Sequence, residues 1–146
     1  MGKLKNKRML YFVGITTFII VIPLIVLLLL QKGDKPFESL KSEDVEKIEL
    51  LVNPANKITE ITKKEQINKI INTLNKIVKN EVDSSWGSYN GQYIQYTIIK
   101  KNNEIIKIGV LSPFVTIDGI GYKLTNNVCE ELNDLANSII DNNYIK

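Results

Sequence analysis

The sequence predicts an α+β protein, in which an N-terminal transmembrane helix precedes an antiparallel sheet with two amphipathic helices packed on it. Three observations predict this class. Positions 9–30 form a run of twenty-two residues without a charge. Short segments with alternating apolar residues, joined by turn residues, indicate strands, and two stretches with apolar residues at three- and four-residue spacing indicate helices. Such an order of elements favours helices packed on one face of an antiparallel sheet.

The uncharged run at positions 9–30 is long enough to span a bilayer. As a helix it measures about 33 Å, against about 30 Å for the hydrocarbon core. A cleaved signal peptide is the alternative, but its apolar region is about 7 to 15 residues long and ends at a small-residue cleavage site. Here Leu30 is followed by Gln31 and Lys32. We therefore expect an uncleaved anchor, with a kink at Pro23.

The charges beside this run predict its direction in the membrane. Cations after the run are interleaved with acids, whereas those before it are not. The positive-inside rule therefore predicts a cytoplasmic N-terminus and an extracellular C-terminal domain, with the lipid bilayer as a partner. We divide the chain into a basic tail (1–8), a membrane span (9–30), a linker (31–44) and an extracytoplasmic domain (45–146). The topology-setting cations are Lys3, Lys5, Lys7 and Arg8.

The net charge of +3 does not indicate a nucleic-acid partner. Four of the nineteen Lys and Arg side chains lie in the tail, which leaves fifteen against sixteen Asp and Glu in the rest of the chain. The remaining part therefore lacks the basic surplus that binds a phosphate backbone. The chain has one cysteine and no histidine, so an internal disulfide is excluded.

The first part of the predicted domain combines a hairpin with a helix. Lys47–Val52 alternates apolar and polar residues, and Lys57–Ile61 forms a second strand after a turn at 53–56. The residues from Thr62 to Glu65 have the form of a capping box, which predicts the start of a helix. The apolar stripe of this helix consists of Ile67, Ile70, Ile71, Leu74, Ile77 and Val78.

The second part of the domain contains two more hairpins and a final helix. Turn residues at 101–103, and Asp118 with Gly119, join the strands of these hairpins. Asn127, with Glu130 three residues later, predicts the start of the helix. The strands are predicted at Gln92–Lys100, Glu104–Leu111, Phe114–Asp118 and Gly121–Leu124. The apolar stripe of the helix consists of Val128, Leu132, Leu135, Ala136, Ile139 and Ile140.

Four segments carry a resemblance to a known family: Gly33–Phe37, Gly91 with Gln92, Ser112–Lys123 and Cys129–Asn133. Together they resemble a family of small domains of unknown function from low-G/C Gram-positive bacteria, whose members look like short anchored or exported proteins. The resemblance covers nearly the whole exported region, and its most specific part is Pro113–Lys123. It implies an exported location. The family has no assigned activity, so the resemblance implies no catalytic residue.

Cys129 is the first residue to consider as a nucleophile. A nucleophilic cysteine usually needs a neighbouring base, and the chain has no histidine. Its position beside Val128 and one turn from Leu132 predicts a small core residue instead. Residues 83–87 faintly resemble a calcium loop, but they lack the alternating acidic ligands and the terminal glutamate. We therefore predict no catalytic residue, no metal and no cofactor.

Trp86, Tyr89 and Tyr93 stand in or beside a polar loop, from Asn80 to Gly91. Trp and Tyr on loops are frequent at recognition surfaces because they give a large contact area at low entropy cost. These three residues are therefore the predicted binding residues. The alternative is that Trp86 folds back to cover the end of the core.

The sequence thus predicts a single-pass membrane protein whose outer domain is a non-catalytic recognition or accessory module of the cell envelope. Its partner would be an envelope component or another membrane protein. A small regulatory or immunity-type membrane protein that acts through its anchor is the first alternative. A hydrolase that acts on envelope material is the second.

Overall fold

The structure, a computed structural model, describes residues 21–23, 33–54, 56–79 and 81–144. The predicted basic tail and most of the predicted span therefore lie outside the described residues. Within the span, Val21, Ile22 and Pro23 are helical. Among the described residues, no helix combines the length and the hydropathy that crossing a membrane requires.

The compact unit Asp34–Lys146 contains one six-stranded sheet. All neighbouring strands are antiparallel, and their spatial order is β2-β1-β3-β4-β5-β6. The predicted α+β class is confirmed, and the strand ends differ from the predicted ones by at most two residues. The elements are β1 (Val45–Val52), β2 (Lys57–Ile61), α1 (Lys64–Leu74), β3 (Ile94–Lys100), β4 (Ile105–Leu111), β5 (Phe114–Ile117), β6 (Ile120–Lys123) and α2 (Val128–Tyr144).

Both helices pack on one face of the sheet. Every second residue of the strands points to this face, because successive side chains of a strand alternate between its two sides. Tyr96 of β3 is fully buried there, and its hydroxyl donates a hydrogen bond to the carbonyl oxygen of Leu132 in α2. Burial of each large apolar side chain contributes about 1.5–3 kcal/mol. The buried residues of the predicted helix stripes are Ile67, Ile70, Ile71, Leu74, Ile77, Val128, Leu132, Ala136 and Ile139.

Part of the segment interpreted as a linker belongs to the folded unit. Phe37 and Leu40 are buried in the core, with 4% and 7% of their surface exposed. The amide of Lys79 donates to the carbonyl oxygen of Asp34 at 2.8 Å, and its ammonium group lies 2.8 Å from the Asp34 carboxylate. Because its two apolar residues enter the core, this segment is folded onto the domain, and the compact unit begins at Asp34.

The start of α1 differs from the prediction. The helix begins at Lys64, and Lys63, not Thr62, occupies the N-cap position without a side-chain capping hydrogen bond. Glu65 accepts a hydrogen bond from the Lys69 ammonium group at 2.8 Å, one turn along the helix. This hydrogen bond, together with the charge of Lys69, lowers the pKa of the Glu65 carboxyl. The predicted capping box is wrong, because Thr62 lies one residue too early to cap the helix.

Candidate recognition site

The sheet face opposite the helices has two halves of different character. The covered half comprises the outward residues of β5 and β6 and of the end of β4, and residues 81–93 lie over it. The open half comprises the outward residues of β2, β1 and β3, together with Ile105 and Lys107 of β4. The predicted binding residues all lie on the covered half.

Trp86 packs into a notch on the covered half that Gly121 of β6 leaves open. A Cβ atom at this glycine would clash with Cδ1 of the Trp86 ring and would lie 2.7 Å from the carbonyl oxygen of Asp83. The Asp83 amide donates to the Gly121 carbonyl oxygen at 2.9 Å, and Val82 forms an antiparallel bridge with Tyr122. The start of the segment is therefore attached to the free edge of β6.

Tyr93 occupies a second notch, over Gly109 of β4. A Cβ atom at this glycine would clash with the Tyr93 hydroxyl and the Thr116 hydroxyl, and would lie 2.8 Å from Cε2 of Tyr93. The Tyr93 carbonyl oxygen also accepts a hydrogen bond from the Asn53 amide at 2.9 Å. Tyr93 is partly buried, and these contacts fasten the end of the segment to the middle of the sheet.

Tyr89 lies between these two attachments and is the most exposed of the three aromatic residues. It retains 46% of its surface, while its ring meets the ring of Phe114 edge-on, with centroids 4.6 Å apart and an interplanar angle of 67°. Its amide donates to the Trp86 carbonyl oxygen at 3.2 Å. Tyr89 is therefore both accessible and held in place.

A short 3-10 helix, Ser84–Ser88, shapes the segment between Asp83 and Tyr89. The Asp83 carboxylate caps it by accepting a hydrogen bond from the Ser85 amide at 2.9 Å. Hydrogen bonds from Ser85 lower the pKa of the Asp83 carboxyl. Because the ionised carboxylate is the stronger acceptor and its lowered pKa keeps it ionised, the cap is at full strength at neutral pH.

The structure brings the three predicted residues onto one half of one face, but it gives them different contacts. Trp86 and Tyr93 rest on glycines, and Tyr89 presents its ring outward. Their partners are Gly109, Gly121 and Phe114, which were not predicted from the sequence. An isolated glycine inside a strand pattern signals a close approach, so a signal for both notches was present.

Cys129 lies under the covered half, on the core side of β5. It is 1% exposed, and its thiol donates a hydrogen bond to the carbonyl oxygen of Phe114 at 3.4 Å. Burial, and to a lesser extent the charge of Glu130, raises the pKa of the thiol to about 11. Its predicted place in the core is confirmed. Among the described residues, no group of three or more His, Cys, Asp or Glu side chains could hold a metal ion.

The open half exposes apolar and charged side chains side by side. Ile58 retains 62% of its surface and Ile105 retains 56%. The Lys47 ammonium group lies 2.7 Å from the Glu60 carboxylate and 3.3 Å from the Glu49 carboxylate. Hydrogen bonds to Glu60 and then Glu49 raise the pKa of Lys47. A shallow depression of about 440 Å³ lies on this half, and side chains of all four strands line it.

Comparisons with known proteins do not indicate a function, so the function is inferred from this geometry. No family model matches the chain, and neither a curated protein nor a solved structure matches it. The resemblance to a Gram-positive family of unknown function stays a prediction.

Proposed function

We propose that this protein is a membrane-anchored, non-catalytic recognition or accessory module of the cell envelope, and that residues 81–93 form its recognition surface. Tyr89 is the observation that carries the proposal. The residue is 46% exposed, although its ring packs against Phe114 and its backbone amide donates to the Trp86 carbonyl oxygen. A side chain that is already ordered loses little conformational entropy on binding, which favours affinity.

The chemistry around Tyr89 supports an envelope component as the ligand. Ser84, Ser85 and Ser88 are exposed on the 3-10 helix before it. Val82, at the other end of the segment, retains 66% of its surface. A phenol ring beside several hydroxyl groups offers both apolar contact and hydrogen bonds. Such a surface suits the hydroxyl-rich polymers of a cell wall.

The membrane location in this proposal rests on the sequence. The uncharged run at 9–30 supports a single-pass anchor, and the four cations before it support a cytoplasmic N-terminus. In this orientation the domain faces outward. Protease added to intact cells should then remove the C-terminal part, whereas protection of that part would contradict the orientation.

Binding to isolated cell walls tests the recognition surface. Full-length protein in detergent micelles is sedimented with purified Gram-positive walls, and the bound fraction is measured for wild type, Tyr89→Ala and Ile120→Ala. We expect Tyr89→Ala to weaken binding by about tenfold or more, as truncation of a central aromatic residue does. Ile120 is the matched control, because it is 49% exposed but belongs to β6.

The outcomes separate loss of recognition from loss of folding. Tyr89→Ala should retain the wild-type unfolding transition, since its side chain is half exposed. Wild-type wall binding by Tyr89→Ala, or an equal loss for Ile120→Ala, would contradict a recognition role for this segment. Absence of wall binding by the wild-type protein would exclude wall polymers as the ligand.

A further inference from the structure

The open half carries a second surface, which meets the proposed recognition segment only at its last residue, Tyr93. Within the described residues, no element covers it, and Ile58 and Ile105 stand exposed on β2 and β4. These two side chains stand at opposite corners of the open half, with the half-buried Leu51 and Ile99 between them. Exposed apolar patches often mark interfaces. The charges on this surface indicate what it binds.

Charged residues of the open half form a row that is negatively charged at one end and positively charged at the other. Register pairs Glu60 with Glu49, Glu49 with Thr97, and Thr97 with Lys107, so the row crosses four strands. At a strand spacing of about 4.8 Å, Glu60 and Lys107 stand roughly 14 Å apart. Lys107 takes part in none of the ion pairs that the described residues form. The row therefore begins with acids and ends with a cation that lies outside those pairs.

This arrangement is complementary to itself. Among the described residues, the outward charges of the open half are two cations, Lys47 and Lys107, and two acids, Glu49 and Glu60. A surface with no net charge meets an identical surface without overall repulsion. Closed dimers use such self-complementary patches, in which one residue contacts a second and the second contacts the first.

We propose that the open half is the interface with a second copy of this chain. The two copies are related by a two-fold axis that runs parallel to the strands, midway between β1 and β3. This rotation places β2 of one copy over β4 of the other, so that Glu60 faces Lys107 in both directions. It also places Ile58 over Gly109, where the Tyr93 ring provides an apolar surface.

The charges select this axis over the other in-plane axis. A two-fold axis perpendicular to the strands along the charged row would place Glu60 on Glu60 and Lys107 on Lys107, and like charges opposed across an interface cost several kcal/mol. The proposed axis also avoids a steric conflict. It carries β5 and β6, with Val82, Trp86 and Tyr89 on them, past the β2 edge of the other copy.

The size of the open half sets the expected affinity. Four strands and three rows of side chains cover roughly 19 Å by 20 Å. This footprint, roughly 400 Å² per copy, is about half of the roughly 800 Å² per partner of a standard interface. We therefore expect a weak dimer, with a dissociation constant of roughly tens of micromolar. Packed sheets also cross at about −30°, which moves Glu60 and Lys107 by only a few ångströms, within reach of their long side chains.

Charge-reversed variants test the proposed pairing. Full-length Glu60→Lys and Lys107→Glu are prepared in detergent micelles with different fluorescent labels, and energy transfer is measured for each variant alone and for the mixture. Each homodimer would oppose like charges twice, so we expect it to be at least about tenfold weaker than the wild type.

In the mixture, the two introduced charges are opposite and face each other, and the native Glu60 of one copy faces the native Lys107 of the other. The mixed dimer should therefore regain most of the wild-type affinity. Unfolding curves verify that both variants are folded.

Three results would overturn the proposal. A wild-type chain that is monomeric up to about 100 μM lacks the dimer that an interface of this size should form. Homodimers of both variants with wild-type affinity would place the contact elsewhere, for example in the N-terminal segment. A mixture that associates no better than either variant alone would exclude the Glu60–Lys107 pairing. A preferred mixed dimer supports the proposal independently of wall binding by Tyr89.

Discussion

The covered and open halves belong to the same sheet face, yet the chain treats them differently. The covered half presents small residues, Gly109, Thr116 and Gly121, on which aromatic rings rest. The open half presents long or branched side chains, such as Ile58 and Ile105, which stand clear of the sheet. The covered half also carries the buried side chains of Phe114 and Leu111. The comparison teaches that the chain covers the part of the face where small residues, which leave room for aromatic rings, stand beside large apolar ones.

The largest effect should come from the residue under the covering segment. Phe114→Ala removes a fully buried ring and the support of Tyr89, and we expect a loss of about 3–5 kcal/mol in the free energy of unfolding. Ile105→Ala in the open half is the control and should cost less than about 1 kcal/mol. Denaturant unfolding of the full chain measures both. Equal losses would remove the distinction between the halves.

Thiol labelling compares the core beneath the covered half with the open half. Burial raises the pKa of Cys129 from 9.0 to about 11, so the reactive thiolate is about a hundredfold rarer than in an ordinary cysteine. A cysteine introduced by Ile105→Cys should react with a maleimide at the rate of an exposed thiol. Native Cys129 should react about a hundredfold more slowly or more, until the chain is unfolded. Similar rates would contradict the burial of Cys129 between α2 and β5.

The notch at Gly121 should be sensitive to a single methyl group. Gly121→Ala pushes a Cβ atom against Trp86 and Asp83, and overpacking of this kind costs about 1–3 kcal/mol. Trp86 is the only tryptophan of the chain, so its fluorescence should shift to longer wavelength as the ring is displaced. Gly87→Ala is the matched control, because a Cβ there meets nothing within 4 Å. An unchanged spectrum for Gly121→Ala would contradict the contact.

The smallest effect is expected at the edge of the open half. Ile58 retains 62% of its surface, so Ile58→Thr should change the free energy of unfolding of the monomer by no more than about 0.5 kcal/mol. Measurement at low protein concentration keeps the chain monomeric. A loss of several kcal/mol under these conditions would mean that Ile58 is covered within its own chain.

The sheet could be predicted from the sequence because its signals are local. Ile94, Tyr96 and Ile98 alternate with polar neighbours, and this period of two is sufficient to identify a strand and its buried face. Asp118 and Gly119 form the predicted turn, both with positive φ angles of 50° and 84°. The predicted capping box was wrong although its residue types match the motif, because the helix begins one residue later. The position of a helix end depends on contacts beyond the motif.

The contacts of the candidate site could not be predicted in the same way. Trp86 meets Gly121, and Tyr93 meets Gly109, across long stretches of chain. Which glycine lies beneath which ring depends on the register of β4, β5 and β6, and a shift of one residue would turn each notch to the other face. The self-complementary row from Glu60 to Lys107 likewise exists only once four strands are placed side by side.

The central claim is that the chain covers one half of this face itself and leaves the other for a second copy. Hydroxyl-radical footprinting of the full-length protein, from dilute to micromolar concentration, tests it most directly. Modification of Leu51, Ile58 and Ile105 should fall as the concentration rises, while modification of Tyr89 stays constant. Concentration-dependent protection of Tyr89 with unchanged Ile58 and Ile105 would contradict the account.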